Sequence, residues 1–214
     1  MSVLVQDSLL DLADEPSFDP LAPRRSALTR GAWVDVQHGW LAGSAPVFEQ
    51  LLSEVPWRAE RRRMYDKTVD VPRLLCFYGE GATLPSPVLD TARDLLNAYY
   101  GGFVTAGMCL YRDGQDSVAW HGDTLGGTGV GPRASRAGRG ATEDVMVAIL
   151  SLGSPRPLAL RPRGGGQSVR FELGHGDLVV MGGSCQRTWE HAIPKTAHQI
   201  GPRISIQFRA HDVR

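Results

Sequence analysis

Pro202-Arg203-Ile204-Ser205-Ile206-Gln207-Phe208-Arg209 alternates without a break. Successive side chains of an extended chain point to opposite faces. Ile204, Ile206 and Phe208 therefore share one side, and Arg203, Ser205, Gln207 and Arg209 the other. The run reads as a β-strand. Upstream, as far back as residue 103, similar short runs recur between Gly, Pro and Asp: 105–111, 117–121, 145–152, 157–161, 168–173, 177–181 and 189–193. Regular short strands separated by turn signals indicate a sandwich or barrel.

Before residue 103 the period changes. Ser44 to Val55 reads as a helix, with Pro46 in its first turn and Phe48, Leu51, Leu52 and Val55 as its apolar stripe. A second helix is predicted over 86–100. Ser86 can cap it, and Pro87 suits the first position. Val88, Ala92, Leu95, Leu96 and Tyr99 share one face, and Gly101-Gly102 stops it. The fold class is mainly β with N-terminal helices (α+β).

The chain has 214 residues, 42% hydrophobic and 21% charged, which suits one globular domain. Residues 1–30 are polar and Pro-rich and read as a loosely ordered lead-in; 31–214 form the domain. Val34-Asp35-Val36 is its first short strand. Val71 to Tyr78 reads as extended and ends at Gly79. The stretch 126–140 carries Arg133, Arg136 and Arg139 with no acid, and reads as an inserted, flexible basic loop. The formal net charge is zero, so nucleic-acid binding would have to come from local patches. The basic run Arg58 to Arg63 is one such patch. Cys76, Cys109 and Cys185 form neither a disulfide framework nor a zinc knuckle. No stretch has the length of a membrane span, and the acidic start is unlike a signal peptide. A cytoplasmic monomer is expected.

Chemistry enters at Trp120-His121-Gly122-Asp123. Spaced two apart on a strand, His121 and Asp123 face the same way. An imidazole and a carboxylate on one face can share a metal ion and leave room for a further histidine. Two histidines and one carboxylate are the ligand set of non-haem Fe(II) oxygenases. On its own, His-x-Asp is more often a pair of solvated polar residues. Arg203 and Arg209 are two cations on one strand face, costly inside a barrel without an anion. A dicarboxylate is such an anion, because guanidinium binds carboxylate bidentately. Alternatively that face meets solvent. His191, in Trp189-Glu190-His191-Ala192-Ile193-Pro194, lies twelve positions before Arg203.

The order His121-x-Asp123, His191, Arg203, Arg209 resembles the AlkB family of Fe(II)/2-oxoglutarate-dependent dioxygenases. Leu110-Tyr111-Arg112-Asp113-Gly114 is similar to the family's co-substrate strand, and Gly176 to Met181 to the strand before the distal histidine. Val71-Pro72-Arg73 with Phe77-Tyr78-Gly79 resembles the substrate-side hairpin of the DNA-repair branch. The resemblance covers roughly residues 70–210. It implies a double-stranded β-helix (jelly-roll) core. It implies Fe(II) on His121, Asp123 and His191, with O2 taking an open position, and 2-oxoglutarate held by Tyr111 and Arg203 with Arg209 near the metal. Cys109 and Ser205 belong to the same pocket. The expected activity is oxidative demethylation of 1-methyladenine or 3-methylcytosine in DNA, with RNA as the alternative nucleic acid. The flipped base would meet Arg73 and stack on Phe77 or Tyr78.

The chain departs from the family in places. Cys109 stands where the family has asparagine, and Ser205 and Gln207 where it usually has Asn and Thr. Thr124-Leu125 replace an acidic residue found in some DNA-repair members. Three rival readings remain open at this point: an oxygenase of a protein side chain or small molecule, a cupin-like barrel without turnover, and a zinc hydrolase. A second His-Gly-Asp, at 175–177, precedes an apolar strand and reads as a tight turn.

Overall fold

The structure, a computed structural model, describes residues 15–64, 67–123 and 144–210, without the side chains of 62–69. In chain order the strands are β1 (Ser17–Phe18), β2 (Arg24–Ala27), β3 (Ala32–Gln37), β4 (Leu41–Ala42), β5 (Arg58–Met64), β6 (Lys67–Tyr78), β7 (Thr105–Tyr111), β8 (Val118–His121), β9 (Val147–Gly153), β10 (Arg156–Pro162), β11 (Val169–Leu173), β12 (Asp177–Gly183), β13 (Trp189–Ile193) and β14 (Arg203–Arg209). The helices are α1 (Ala45–Glu54), α2 (Pro87–Tyr99) and a single turn, α3 (Cys185–Thr188).

All strand pairs are antiparallel. The major sheet has eight strands in the order β2-β3-β12-β9-β14-β7-β6-β5, the minor sheet four in the order β11-β10-β13-β8, and β1 pairs with β4 alone. This is the jelly-roll core, with α1 and α2 packed on one face of the major sheet.

Alternation along the major sheet sorts residues between two cores. Ala106, Met108 and Leu110 of β7, Ala148, Leu150 and Leu152 of β9, and Ile204, Ile206 and Phe208 of β14 join Leu51 of α1 and Leu89, Ala92 and Leu96 of α2. The opposite face meets the minor sheet: Val147, Ile149, Val179 and Met181 pack on Leu158, Leu160, Leu173, Trp189 and Ile193. Cys109 and Tyr111 belong to this second core. Because both faces are covered, the polar side of β14 lies inside the jelly roll. The solvent-facing reading of its arginines is thereby excluded.

The eight strands expected between 105 and 209 all form, with ends shifted by at most a few residues. Other expectations need correction. Within the expected lead-in, Arg24–Ala27 pairs with Trp33–Val36 and Ser17–Phe18 with Leu41–Ala42, so these residues are ordered by backbone pairing that no apolar pattern announces. Arg58 to Arg63 is strand, hydrogen-bonded to β6 at the sheet edge. The buried stripe of α2 is Leu89, Ala92 and Leu96, turned away from Leu95 and Tyr99, which are exposed. The Ser86 hydroxyl makes no capping bond; its carbonyl accepts from Leu89 instead. Gly101 and Gly102 have φ of 77° and 85°, a region that favours glycine, and they end α2 as expected. The loop over 126–140 lies outside the described residues.

Candidate active site

β8 and β13 are neighbours in the minor sheet, and their register places His121 directly opposite His191. Strand β8 ends at His121, so Asp123 stands in the loop beyond it, and its carboxylate still turns back to the pair. One ligand atom from each of the three lies within 4.8 Å of the others. The imidazole rings are 4.2 Å apart, and Nε2 of His121 is 3.8 Å from Oδ1 of Asp123. The Ala119 carbonyl, 2.8 Å from Nδ1 of His121, can only accept. Nδ1 therefore carries the proton, and the Nε2 lone pair is free for a metal.

The loop carrying Asp123 is fixed from below by α3. The Asp123 amide donates to Oε1 of Gln186 at 3.0 Å. Between the two prospective ligands, a side chain on Gly122 would collide with Nη2 of Arg163 and approach the Gln186 carbonyl to 2.7 Å.

The protonation states suit a cation. Burial lowers His191 to about 3, helped by its neighbour His121. Burial also lowers His121. Burial opposes the charge of Asp123, but Arg209 first, then His191 and His121, outweigh it and hold the carboxyl below its ordinary range. Arg209 Nε donates to Oδ2 of Asp123 at 2.9 Å, leaving Oδ1 on the histidine side. Two neutral imidazoles and one carboxylate are already deprotonated, as a metal requires of its ligands.

Beside this trio lies the inner face of β14. The register sets Arg203 against Tyr111, Ser205 against Cys109 and Gln207 against Gly107. Arg203 is 1% exposed. Its Nε donates to Oγ of Ser151 at 3.0 Å, while its Nη1 is buried and has no partner among the described residues. Its guanidinium carbon lies 5.4 Å from the Tyr111 ring centre, and that of Arg156 lies 5.7 Å from it. Burial lowers Arg203 and raises Tyr111, so the phenol keeps its proton as a donor. A buried cation with an unsatisfied nitrogen is costly, and a carboxylate placed there would satisfy it.

The sequence profile of the 2OG-Fe(II) oxygenase superfamily matches residues 77–209, which include all three prospective ligands and both arginines. The chain is 31% identical over 217 aligned positions to the human alpha-ketoglutarate-dependent dioxygenase alkB homolog 3, covering 91% of this chain and 69% of that protein. This chain belongs to the AlkB family of 2OG-Fe(II) oxygenases. It is also 26% identical to the bovine DNA oxidative demethylase ALKBH2, over 92% of this chain and 81% of that one. In fold it is similar to OsALKBH1, with a TM-score of 0.51, 12% identity, and 86% of this chain and 100% of that one covered. A 2OG-Fe(II) oxygenase family oxidoreductase from Burkholderia pseudomallei has a TM-score of 0.52 at 11% identity, covering 86% of this chain and 89% of that one. The cofactors are those of the superfamily: Fe(II), 2-oxoglutarate and O2. The residues fit them. The deprotonated trio suits the metal, and the orphaned Nη1 of Arg203 suits a carboxylate.

Within this AlkB-family site, β6 divides the expected substrate residues. Arg73, Leu75 and Phe77 share the inner face, since they oppose Tyr111, Cys109 and Gly107 or extend that alternation. Arg73 donates to the Ser117 carbonyl at 3.2 Å, and its buried Nε has no partner among the described residues. Phe77 is 46% exposed. Tyr78 points the other way and packs against the helix-side core, so it does not join the site. The second His-Gly-Asp is structural. Asp177 accepts from the amides of Gly39 and Gly174, and His175 Nδ1 accepts from the Gly153 amide.

Sequence reasoning missed Gln186 and Arg156. Arg156 is buried, and its two terminal nitrogens donate to the carbonyls of Asp113, Asp116 and Pro194. An arginine opening an otherwise apolar strand, Arg156 to Leu160, was the available signal.

Proposed function

We propose that the protein oxidatively demethylates N-alkylated bases of the 1-methyladenine and 3-methylcytosine type in DNA. The observation that carries this reading is the inner face of the major sheet, which lies beside the metal trio and bears Tyr111, Arg203, Arg73 and the exposed Phe77. That ring offers a base a stacking surface, and Arg73 offers a cation beside it. The bovine relative's designation as a DNA oxidative demethylase supports the same substrate class.

In this reading His121, Asp123 and His191 hold the metal. Arg203 and Tyr111 take the far carboxylate of 2-oxoglutarate, Ser205 and Cys109 line its pocket, and Arg209 anchors Asp123 beside its metal-side end. When bound, Fe(II) with 2-oxoglutarate and O2 supplies the oxidation by which an N-methyl group leaves as formaldehyde, with succinate and carbon dioxide as co-products. The chain's own contribution is placement and the exclusion of water. Cys76, Cys109 and Cys185 are unpaired, which suits a reducing compartment.

The test is incubation with Fe(II), ascorbate and 2-oxoglutarate on DNA oligonucleotides carrying either lesion, read by mass spectrometry, with His121→Ala as control. Loss of the methyl mass that depends on 2-oxoglutarate and disappears in the variant is expected. Succinate formation with the DNA methyl group retained would sink the substrate assignment, and a parallel RNA oligonucleotide would then be tried.

A further inference from the structure

The longest side chain on the inner face of β14 between its two arginines is Gln207, and it is buried. Its amide nitrogen donates to Oγ of Ser205 at 2.6 Å and to the Ser205 carbonyl at 3.2 Å. Its amide oxygen faces Nη1 of Arg209 at 3.5 Å and Sγ of Cys109 at 3.7 Å. The orientation of the amide is fixed by chemistry. A guanidinium only donates and a carbonyl only accepts, so the oxygen must lie toward Arg209 and the nitrogen toward Ser205. These two side chains need Gly107 opposite, where a Cβ would stand 2.7 Å from Nη1 of Arg209 and 3.2 Å from Oε1 of Gln207.

We propose that Gln207 is a positioning residue that links the 2-oxoglutarate pocket to the metal ligand Asp123. Two consequences follow from its bonds. A hydroxyl has one proton to give and two lone pairs. With a lone pair of Ser205 Oγ engaged by the Gln207 amide, the Ser205 proton is left for a carboxylate in the pocket. At the other end, Arg209 is held by Gln207 on Nη1 and by Asp123 on Nε. The guanidinium is thus fixed between the co-substrate and the metal. The threonine that the AlkB pattern usually carries here has a single heteroatom and cannot serve both ends. Ser205 and Gln207, both departures from that pattern, act together as a replacement pair. The inference rests on the co-substrate and not on the nucleic-acid reading.

The experiment measures 2-oxoglutarate affinity by calorimetry on the Mn(II)-loaded protein, which needs no turnover, together with Mn(II) affinity and thermal melting. Gln207→Met keeps the length of the side chain and removes the hydrogen bonds at both ends of the amide. It is expected to weaken 2-oxoglutarate about tenfold while Mn(II) affinity changes by less than about twofold. Gln207→Glu keeps the shape, loses the donor to Ser205 and adds a negative charge that competes with Asp123 for Arg209. It is expected to bind 2-oxoglutarate more weakly than Gln207→Met. Because the effect runs through Ser205, adding Gln207→Met to Ser205→Ala should cost less than it does in the wild type. Either variant binding 2-oxoglutarate as tightly as wild type overturns the proposal, as does simple additivity in the double variant. If Gln207→Met fails to fold, the isosteric Gln207→Glu alone decides. If the wild-type Mn(II) protein binds no 2-oxoglutarate, the co-substrate assignment fails instead.

Discussion

At the scale of single residues, the site is defined by the side-chain atoms it brings together. Nε2 of His121 faces the Asp123 carboxylate beside His191, and Arg203 is buried against the Tyr111 ring. Arg203→Lys retains the charge and loses the planar fork. It should raise the dissociation constant of 2-oxoglutarate by about tenfold or more, measured on Mn(II)-loaded protein. Gly122→Ala sets a methyl group against Arg163 and the Gln186 carbonyl. It should displace Asp123 and weaken Mn(II) binding by about tenfold or more, at a stability cost of about 1–3 kcal/mol. His121, Asp123, His191 and Arg203 were legible in the sequence because side-chain type and chain order together are restrictive. Tyr78 was not, because which of two adjacent aromatics faces the site depends on register with β7. Gln186 was invisible for another reason: its key bond goes to a backbone amide, which leaves no mark in the sequence.

Among elements, strands were easier to read than helix faces or edges. The alternation of β14 is enforced by two separate cores, one on each side of the sheet. On α2 the apolar residues cover more than one face, so Leu95 and Tyr99 competed with Leu89 for the stripe. Strands β2 and β5 lie at the two ends of the major sheet and are held by pairing, with arginines along them, so composition concealed both. The one-turn α3 matters beyond its length, since Gln186 joins it to the loop of Asp123. Gln186→Leu leaves that buried amide unpaired and should cost about 1–3 kcal/mol in chemical denaturation. In α2, Leu96→Ala opens a cavity against the major sheet and should cost about 2–5 kcal/mol by the same measurement.

Across the whole molecule, the turn from β7 of the major sheet to β8 of the minor sheet is a tie between layers. Asp116 in this turn accepts from the backbone amide, Nε and Nη2 of Arg112, while Arg156 grips the turn's carbonyls and that of Pro194. Burial opposes the charge of Asp116, but the bonds from Arg112 and then the field of Arg156 prevail, and its pKa is lowered. A carboxyl with a depressed folded pKa gives full stability above its ordinary value, about 4, and loses it as pH falls through the folded value. Asp116→Asn should therefore melt lower near neutrality and show a shallower acid-side decline, read as melting temperature against pH. The order of the major sheet also has a consequence in time. β14 comes last in sequence among the described strands, yet it lies between β9 and β7 near the middle of the sheet. While the ribosome is still translating the residues before 203, β7 and β9 have no strand to join them, and each leaves a row of backbone groups open to a neighbouring chain. Translation past residue 209 thus installs the keystone strand together with Arg203 and Arg209 in one event. A chain halted before residue 203 should accumulate in the insoluble fraction, because without β14 the edges of β9 and β7 stay unpaired.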